Sequence, residues 1–155
     1  MSKYFLIIPA FWVIAMQGNA QNFTEVPFDS DRWSRQSQAI EIEGKKGWKC
    51  DGDNFLKDFT LGNGIIEFDF VVDSAKQSRT GVMFRGQDEI NHELIYLRIK
   101  NSGLKEATQY MPIIENNGPW RLYESEQGKA DFNPGWNHLK LILEGSRATL
   151  FINYK

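Results

Sequence analysis

From Gln21 to Lys155 no apolar stripe at helical spacing runs longer than two turns; apolar residues alternate with polar ones instead. A period of two puts one face of an extended strand in a core and leaves the other wet, so this alternation constrains the fold more than any other feature. Ile65 to Asp73 is the clearest case, with Ile66, Phe68, Phe70 and Val72 on one side and Glu67, Asp69 and Asp73 on the other. Ala39 to Glu43 alternates briefly, Gly44-Lys45-Lys46-Gly47 reads as a turn, and Trp48 opens a strand that Asp51-Gly52-Asp53-Asn54 ends. Gly81 to Gly86 sets Val82 and Phe84 against Met83 and Arg85. Glu93 to Lys100 sets Ile95, Leu97 and Ile99 against His92, Tyr96 and Arg98. After the Asn116-Asn117-Gly118-Pro119 turn, Trp120 to Tyr123 is expected to resume extended structure. His138 to Leu143 and Ala148 to Asn153 form a hairpin around Glu144-Gly145-Ser146. Some eight or nine strands without covering helices predict an all-β, antiparallel β-sandwich. Phe151-Ile152-Asn153 reads as a strand in mid-course with only Tyr154 and Lys155 after it, so the sandwich is expected to lack its last strands. A bare edge of that kind invites pairing with another chain.

Residues 1–20 read as a signal peptide. Lys3 gives a basic start, Tyr4 to Met16 is apolar apart from Pro9, and Gly18-Asn19-Ala20 supplies the small residues of a cleavage site before Gln21. The run is too short to span a bilayer. The expectation is a single domain over 21–155, secreted or periplasmic, with no membrane insertion once the leader is gone. Losing Lys3 leaves 17 basic against 20 acidic residues, a net charge of −3. With no block of like charge, that balance argues against nucleic acid as a partner. Cys50 is the only cysteine, so no internal disulfide is possible and the domain must rest on its core. The five Trp, five Tyr and eleven Phe suit either a sandwich core or the stacking of sugars, and so do not choose between them.

The segments Asn63-Gly64-Ile65-Ile66-Glu67-Phe68-Asp69-Phe70, Gly81-Val82-Met83-Phe84-Arg85-Gly86 and Glu93-Leu94-Ile95-Tyr96-Leu97-Arg98 resemble the concanavalin A-like lectin/glucanase superfamily. Trp136-Asn137-His138-Leu139-Lys140-Leu141 followed by Ala148 to Asn153 is similar to the tryptophan-led hairpin of its laminin G-like members. Secreted bacterial proteins of unsettled function carry similar Arg-Gly, Glu-x-x-Tyr-x-Arg, Ala-Thr-Gln-Tyr and Trp-x-x-Tyr elements. The 3-keto-disaccharide hydrolase domain shares the "strand, Gly-Val-x-Phe-Arg, strand" core. The resemblance runs from about Phe28 onward and implies a jelly roll. This fold hosts lectins, hydrolases and adhesive modules alike.

Glu67 and Asp69 share a strand face about 6–7 Å apart by strand rise, near the carboxyl separation of retaining glycosidases. Glucanases of the superfamily use Glu-x-Asp-x-x-Glu, and here Val72 holds the third acid position, so the motif is broken. A broader ligand-binding set is Arg85, Glu93, Tyr96, Arg98, Gln109, Tyr110, Trp120 and Tyr123. Its planar polar groups suit sugar hydroxyls and its aromatic rings suit sugar CH faces. Arg85 is expected beside Tyr96 and Arg98. Gln109, Tyr110 and Trp120 are expected in or beside a long Lys105–Pro119 connection arching over one face. Equally, Trp120 and Tyr123 suit a core, and Arg85 with Glu93 a structural bridge. Strict alternation puts Glu93 on the apolar face with Ile95 unless a bulge turns it.

His92 and His138 have no Cys or His companion at ligand spacing, which argues against zinc. Asp51, Asp53 and Asn54 offer oxygens for calcium, as laminin G-like relatives often bind it, but no distal Glu completes a calcium loop. Cofactors are otherwise not expected. Three functions follow. The first is a non-catalytic lectin-like module binding a glycan or polysaccharide. The second is a hydrolase of glycosides or 3-keto-glycosides, with Glu93 or Glu67 as acid-base and Arg85 or Arg98 steadying charge. The third is a protein-interaction module that pairs through its edge.

Overall fold

The computed structural model describes residues 5–8, 11–17, 20–27, 29–35, 38–57, 59–71 and 79–155. Lys3, Tyr4, Pro9, the Gly18-Asn19 cleavage positions, Phe28, and the strand end expected at Val72 and Asp73 lie outside the described residues. So do the side chains of residues 5–8, 11–17 and 20–23, and those of Cys50, Asp51, Arg79 and Trp120. In chain order the strands are β1 (Phe5–Ile8), β2 (Phe11–Gln17), β3 (Ala20–Val26), β4 (Gln38–Ile42), β5 (Lys45–Asp51) and β6 (Gly64–Phe70). They continue with β7 (Arg79–Phe84), β8 (His92–Arg98), β9 (Thr108–Ile113), β10 (Gln127–Gly128), β11 (Asn137–Glu144) and β12 (Arg147–Ile152). The chain is all-β, with antiparallel sheets and, among the described residues, no closed barrel, as a β-sandwich requires. Among those residues no helix is long and apolar enough to cross a membrane. The chain divides into two units, Met1–Val72 with Asn133–Lys155, and Asp73–Phe132.

The first unit holds a five-stranded sheet in the order β12-β11-β6-β2-β3 and a three-stranded sheet in the order β1-β5-β4. The alternation read along β6 sets its packing. Ile66 pairs with Leu141 and Phe68 with Leu139 across the β6–β11 ladder, and all four are buried. Phe70 and Leu143 extend the same buried face, and the Phe68 and Phe70 rings meet edge to face at 6.2 Å. Residues 5–8 and 11–17 are paired here: β1 lies along β5, and β2 lies between β6 and β3. Their aromatic and β-branched residues suit extended backbone.

Two boundaries differ from the sequence reading. The turn expected over Gly44–Gly47 is only Glu43-Gly44, with φ of 52° and 76°, and β5 starts at Lys45. A two-residue turn with both residues left-handed matches the twist of its strands, so the hairpin needs no longer loop. The β11–β12 hairpin likewise closes through Gly145-Ser146, and its strands pair from Leu139↔Ile152 to Glu144↔Arg147. β12 ends at Ile152, and Asn153 and Tyr154 turn back with φ of 53° and 65°. Trp33, which is 6% exposed, bridges Leu56 and donates its indole N–H to the Pro27 carbonyl at 3.0 Å.

The second unit is a four-stranded sheet in the order β10-β9-β8-β7. Its register puts Val82, Phe84, Glu93, Ile95 and Tyr110 on one face, and Gly81, Met83, Leu94, Tyr96, Gln109 and Met111 on the other. Val82, Phe84, Ile95 and Leu97 make its buried side. Gly81 is required by close approach: a methyl there would fall inside van der Waals contact of the Ile95 carbonyl oxygen. β8 stops at Arg98, and Ile99–Asn101 is a 3-10 turn, so Ile99 does not continue the apolar face.

The arching loop expected over Lys105–Pro119 instead contains the six-residue strand β9, followed by a tight turn at Ile114–Asn117. The extended structure expected at Trp120–Tyr123 is instead a 3-10 segment, Trp120–Glu126. Pro119 has φ −78° and its carbonyl accepts the Leu122 N–H at 3.0 Å, which closes the chain into a helical turn.

The leucine row of β11 is expected to carry the first unit. Leu141→Ala, at a site with no exposure, should lower unfolding free energy by about 2–5 kcal/mol in a denaturant titration. A loss below 1 kcal/mol would show that this face is not a packed core.

Candidate functional site

In the first unit the wet face of β6 meets the wet face of β11. Pairing of His138 with Asp69 and Lys140 with Glu67 brings four charged or ionisable side chains together. His138 Nδ1 lies 2.7 Å from Asp69 Oδ1, and its Nε2 lies 2.8 Å from Glu67 Oε1. Each ring nitrogen is within hydrogen-bond distance of a different carboxylate, so the imidazole bridges the two acids. Lys140 Nζ sits 3.3 Å from Glu67 Oε2 and Lys45 Nζ 3.3 Å from Asp69 Oδ2. Lys45 also stands over the Trp136 ring at 5.2 Å. The left-handed turn at Asn153-Tyr154 folds the Tyr154 ring flat onto His138, 4.6 Å between centroids. Asn153 Oδ1 accepts the His138 backbone N–H at 3.0 Å. Glu67 and Asp69 therefore share a face as expected, but each carboxylate is engaged by an imidazole nitrogen and an ammonium. Sequence reading had singled out the two acids without His138 between them; the pairing of β6 with β11 is the signal that joins them.

In the second unit the residues selected for ligand binding form two groups on opposite faces of the sheet, joined at its edge. The first group is Arg85, Glu93, Tyr110 and Tyr123. Alternation pointed Arg85 towards Tyr96 and Arg98, but Arg85 has φ 47°, and the reversal sends its guanidinium to Glu93 instead. Arg85 Nη1 donates to Glu93 at 3.2 and 3.4 Å, with both side chains about four-fifths buried or nearly so at 19% and 26% exposure. A non-glycine residue in the left-handed region costs on the order of 1 kcal/mol, which the half-buried ion pair offsets. Glu93 lies on the apolar face with Ile95, as strict alternation requires. The connection ahead of it is pinned by Asp88, whose carboxylate accepts the Ile90 and Asn91 N–H groups at 2.9 and 2.7 Å. The Asn91 side-chain amide, together with these backbone donors, holds the Asp88 carboxyl below its usual range.

Tyr110 stands beside this pair. Burial raises its phenol above the ordinary value of 10.0, and the Glu93 charge, Tyr123 and a hydrogen bond to Glu93 raise it further, against an opposing effect of Arg85. The Tyr110 and Tyr123 rings meet edge to face at 5.8 Å.

The second group is Tyr96, Arg98 and Gln109. The Arg98 guanidinium lies over the Tyr96 ring, 4.9 Å from its centroid. Its Nη1 donates to the Glu106 carbonyl at 2.9 Å and its Nη2 donates to Gln109 Oε1. Gln109 is only 1% exposed, and its Nε2 donates to the Tyr123 carbonyl at 3.4 Å. Gln109 thus positions Arg98 from below. Tyr123 links the groups, its ring on Tyr110 and its carbonyl on Gln109. The Glu106 carbonyl was not visible to sequence reasoning, because a backbone acceptor leaves no residue-type signal.

Asn54 ties two segments together: its Oδ1 accepts from Ser34 Oγ at 3.1 Å and from the Arg35 N–H at 3.0 Å. Asp53 is exposed, and no group of three or more metal-ligating side chains converges among the described residues. No family model, curated protein or solved structure matches the chain.

Two outcomes test these clusters. His138→Ala removes the group between Glu67 and Asp69 and is expected to cost about 1.5–3 kcal/mol in unfolding free energy; a change within 0.5 kcal/mol would mean the lysines alone hold β6 to β11 on this face. For Tyr110 the raised folded value fixes the sign. Below pH 10 both folded and unfolded chains keep the proton; above it the unfolded phenol ionises first, so stability falls as pH climbs through the folded value. Ultraviolet titration should show one tyrosine ionising above the others, absent in Tyr110→Phe.

Proposed function

We propose that this chain is a glycan-binding β-sandwich module, lectin-like in action. The observation that carries the reading is the connected run Arg85–Glu93–Tyr110–Tyr123–Gln109–Arg98–Tyr96. These seven were selected from sequence as planar polar groups and aromatic rings suited to saccharides, and contacts link them into one network. Such groups bind well when held in place beforehand, since ordering long side chains on binding costs affinity. Arg98 is held by two acceptors and a ring, and Arg85 by a carboxylate. Gly81, opposite Tyr96, puts no side chain beside that ring on the sheet face. The resemblance to concanavalin A-like sandwiches, with a jelly-roll topology, supports the same reading.

The test is retention of the full chain on immobilised polysaccharides, with the soluble fraction analysed for released sugar. Retention without release is expected. Tyr96→Ala should weaken it by roughly tenfold, while Leu122→Ala, at an 80% exposed site outside the network, should leave it unchanged. Equal retention by a folded Tyr96→Ala protein would remove this face from the site. Release of sugar would move the reading to a hydrolase, with Glu93 the first carboxyl to replace.

A further inference from the structure

Charge on the Tyr96 face narrows the class of glycan, an inference that rests on the glycan-binding reading. The two arginines of the network are treated differently by their surroundings. Arg85 is paired with Glu93. Arg98, half-buried at the end of β8, is held by the Glu106 backbone carbonyl, the Gln109 amide oxygen and the Tyr96 ring, all of them neutral. Among the described residues no carboxylate forms an ion pair with it. A half-buried guanidinium without a counter-charge is costly. Around it, neutral acceptors occupy Nη1 and Nη2 and fix the plane of the fork, which suits bidentate capture of a planar or tetrahedral oxyanion.

We propose that the ligand supplies the missing negative charge: the site takes an acidic polysaccharide, bearing carboxylate or sulfate groups, and Arg98 is the residue that selects it. The saccharide ring lies against the face that carries Tyr96, and its anionic substituent meets the Arg98 guanidinium. The whole chain carries a formal net charge of −2, so general electrostatic attraction to a polyanion does not account for such binding.

The experiment compares the full chain on two matched pairs of polymers. Polygalacturonate is set against its fully methyl-esterified form, and dextran sulfate against dextran. Tighter retention on the charged member of one pair, by about tenfold or more, is expected, and which pair responds separates carboxylate from sulfate. Arg98→Gln should abolish that preference, while Arg98→Lys, which keeps charge without the fork, should retain part of it. Equal or tighter binding of the neutral members overturns the acidic-glycan inference and leaves the glycan-binding reading standing. Binding of neither pair, nor of any other polysaccharide, by folded protein removes both. The wild-type comparison needs no variant, so a misfolded Arg98→Gln protein does not spare the proposal. An undiminished charge preference in folded Arg98→Gln would assign the selection elsewhere.

Discussion

The antiparallel register between β6 and β11 is the constraint from which the first unit follows. One alignment puts Ile66 and Phe68 against Leu141 and Leu139 on the dry side, and Glu67 and Asp69 against Lys140 and His138 on the wet side. A slip of one residue would invert both sets together, driving carboxylates into the leucine row and exposing the rings. The two faces therefore police each other. Hydrophobic packing alone would tolerate a slip of two, which keeps the same faces; the His138 contacts to two specific carboxylates do not. Polar pairing here selects among registers that burial would accept, a role that outweighs its modest energy.

The second unit is organised by departures from regular strand geometry. Had Arg85 kept the alternation of β7, its charge would lie on the Tyr96 face and Glu93 would stand uncompensated beside Ile95. The left-handed residue at the end of β7 exchanges those outcomes. The 3-10 segment after Pro119 has a comparable effect at the other edge, setting Tyr123 where its ring and its carbonyl reach opposite faces of the sheet. Rigidity in this network comes from a strand terminus and a short helix, with the sheet itself as the fixed frame.

Most strand positions were legible because burial of one face writes a period of two into the sequence. Glu67 with Asp69, the β11–β12 hairpin, and Glu93 beside Ile95 all followed from that rule. Three of the features that escaped share a cause. The faces of Arg85, the brevity of the Glu43-Gly44 turn and the helical closure at Trp120 are set by single backbone dihedrals, which side-chain patterning does not encode. The strand at Thr108–Ile113 was hidden for another reason: Pro112 and the polar Gln109 break its alternation, and only pairing with β8 reveals it. The joining of His138 to the β6 acids needed knowledge of which strand lies beside which, and such long-range neighbours leave no local trace.

The two arginines also differ in how freely each can change over evolutionary time. Arg85 and Glu93 are bound to one another, and replacing either leaves a half-buried charge behind, so positions 85 and 93 would be expected to change together in diverging descendants. Arg98 leans on a carbonyl, an amide and a ring, none of which is left charged when it goes. Its loss would instead leave the Glu106 carbonyl and the buried Gln109 oxygen short of one donor, a smaller penalty that ties position 98 to position 109.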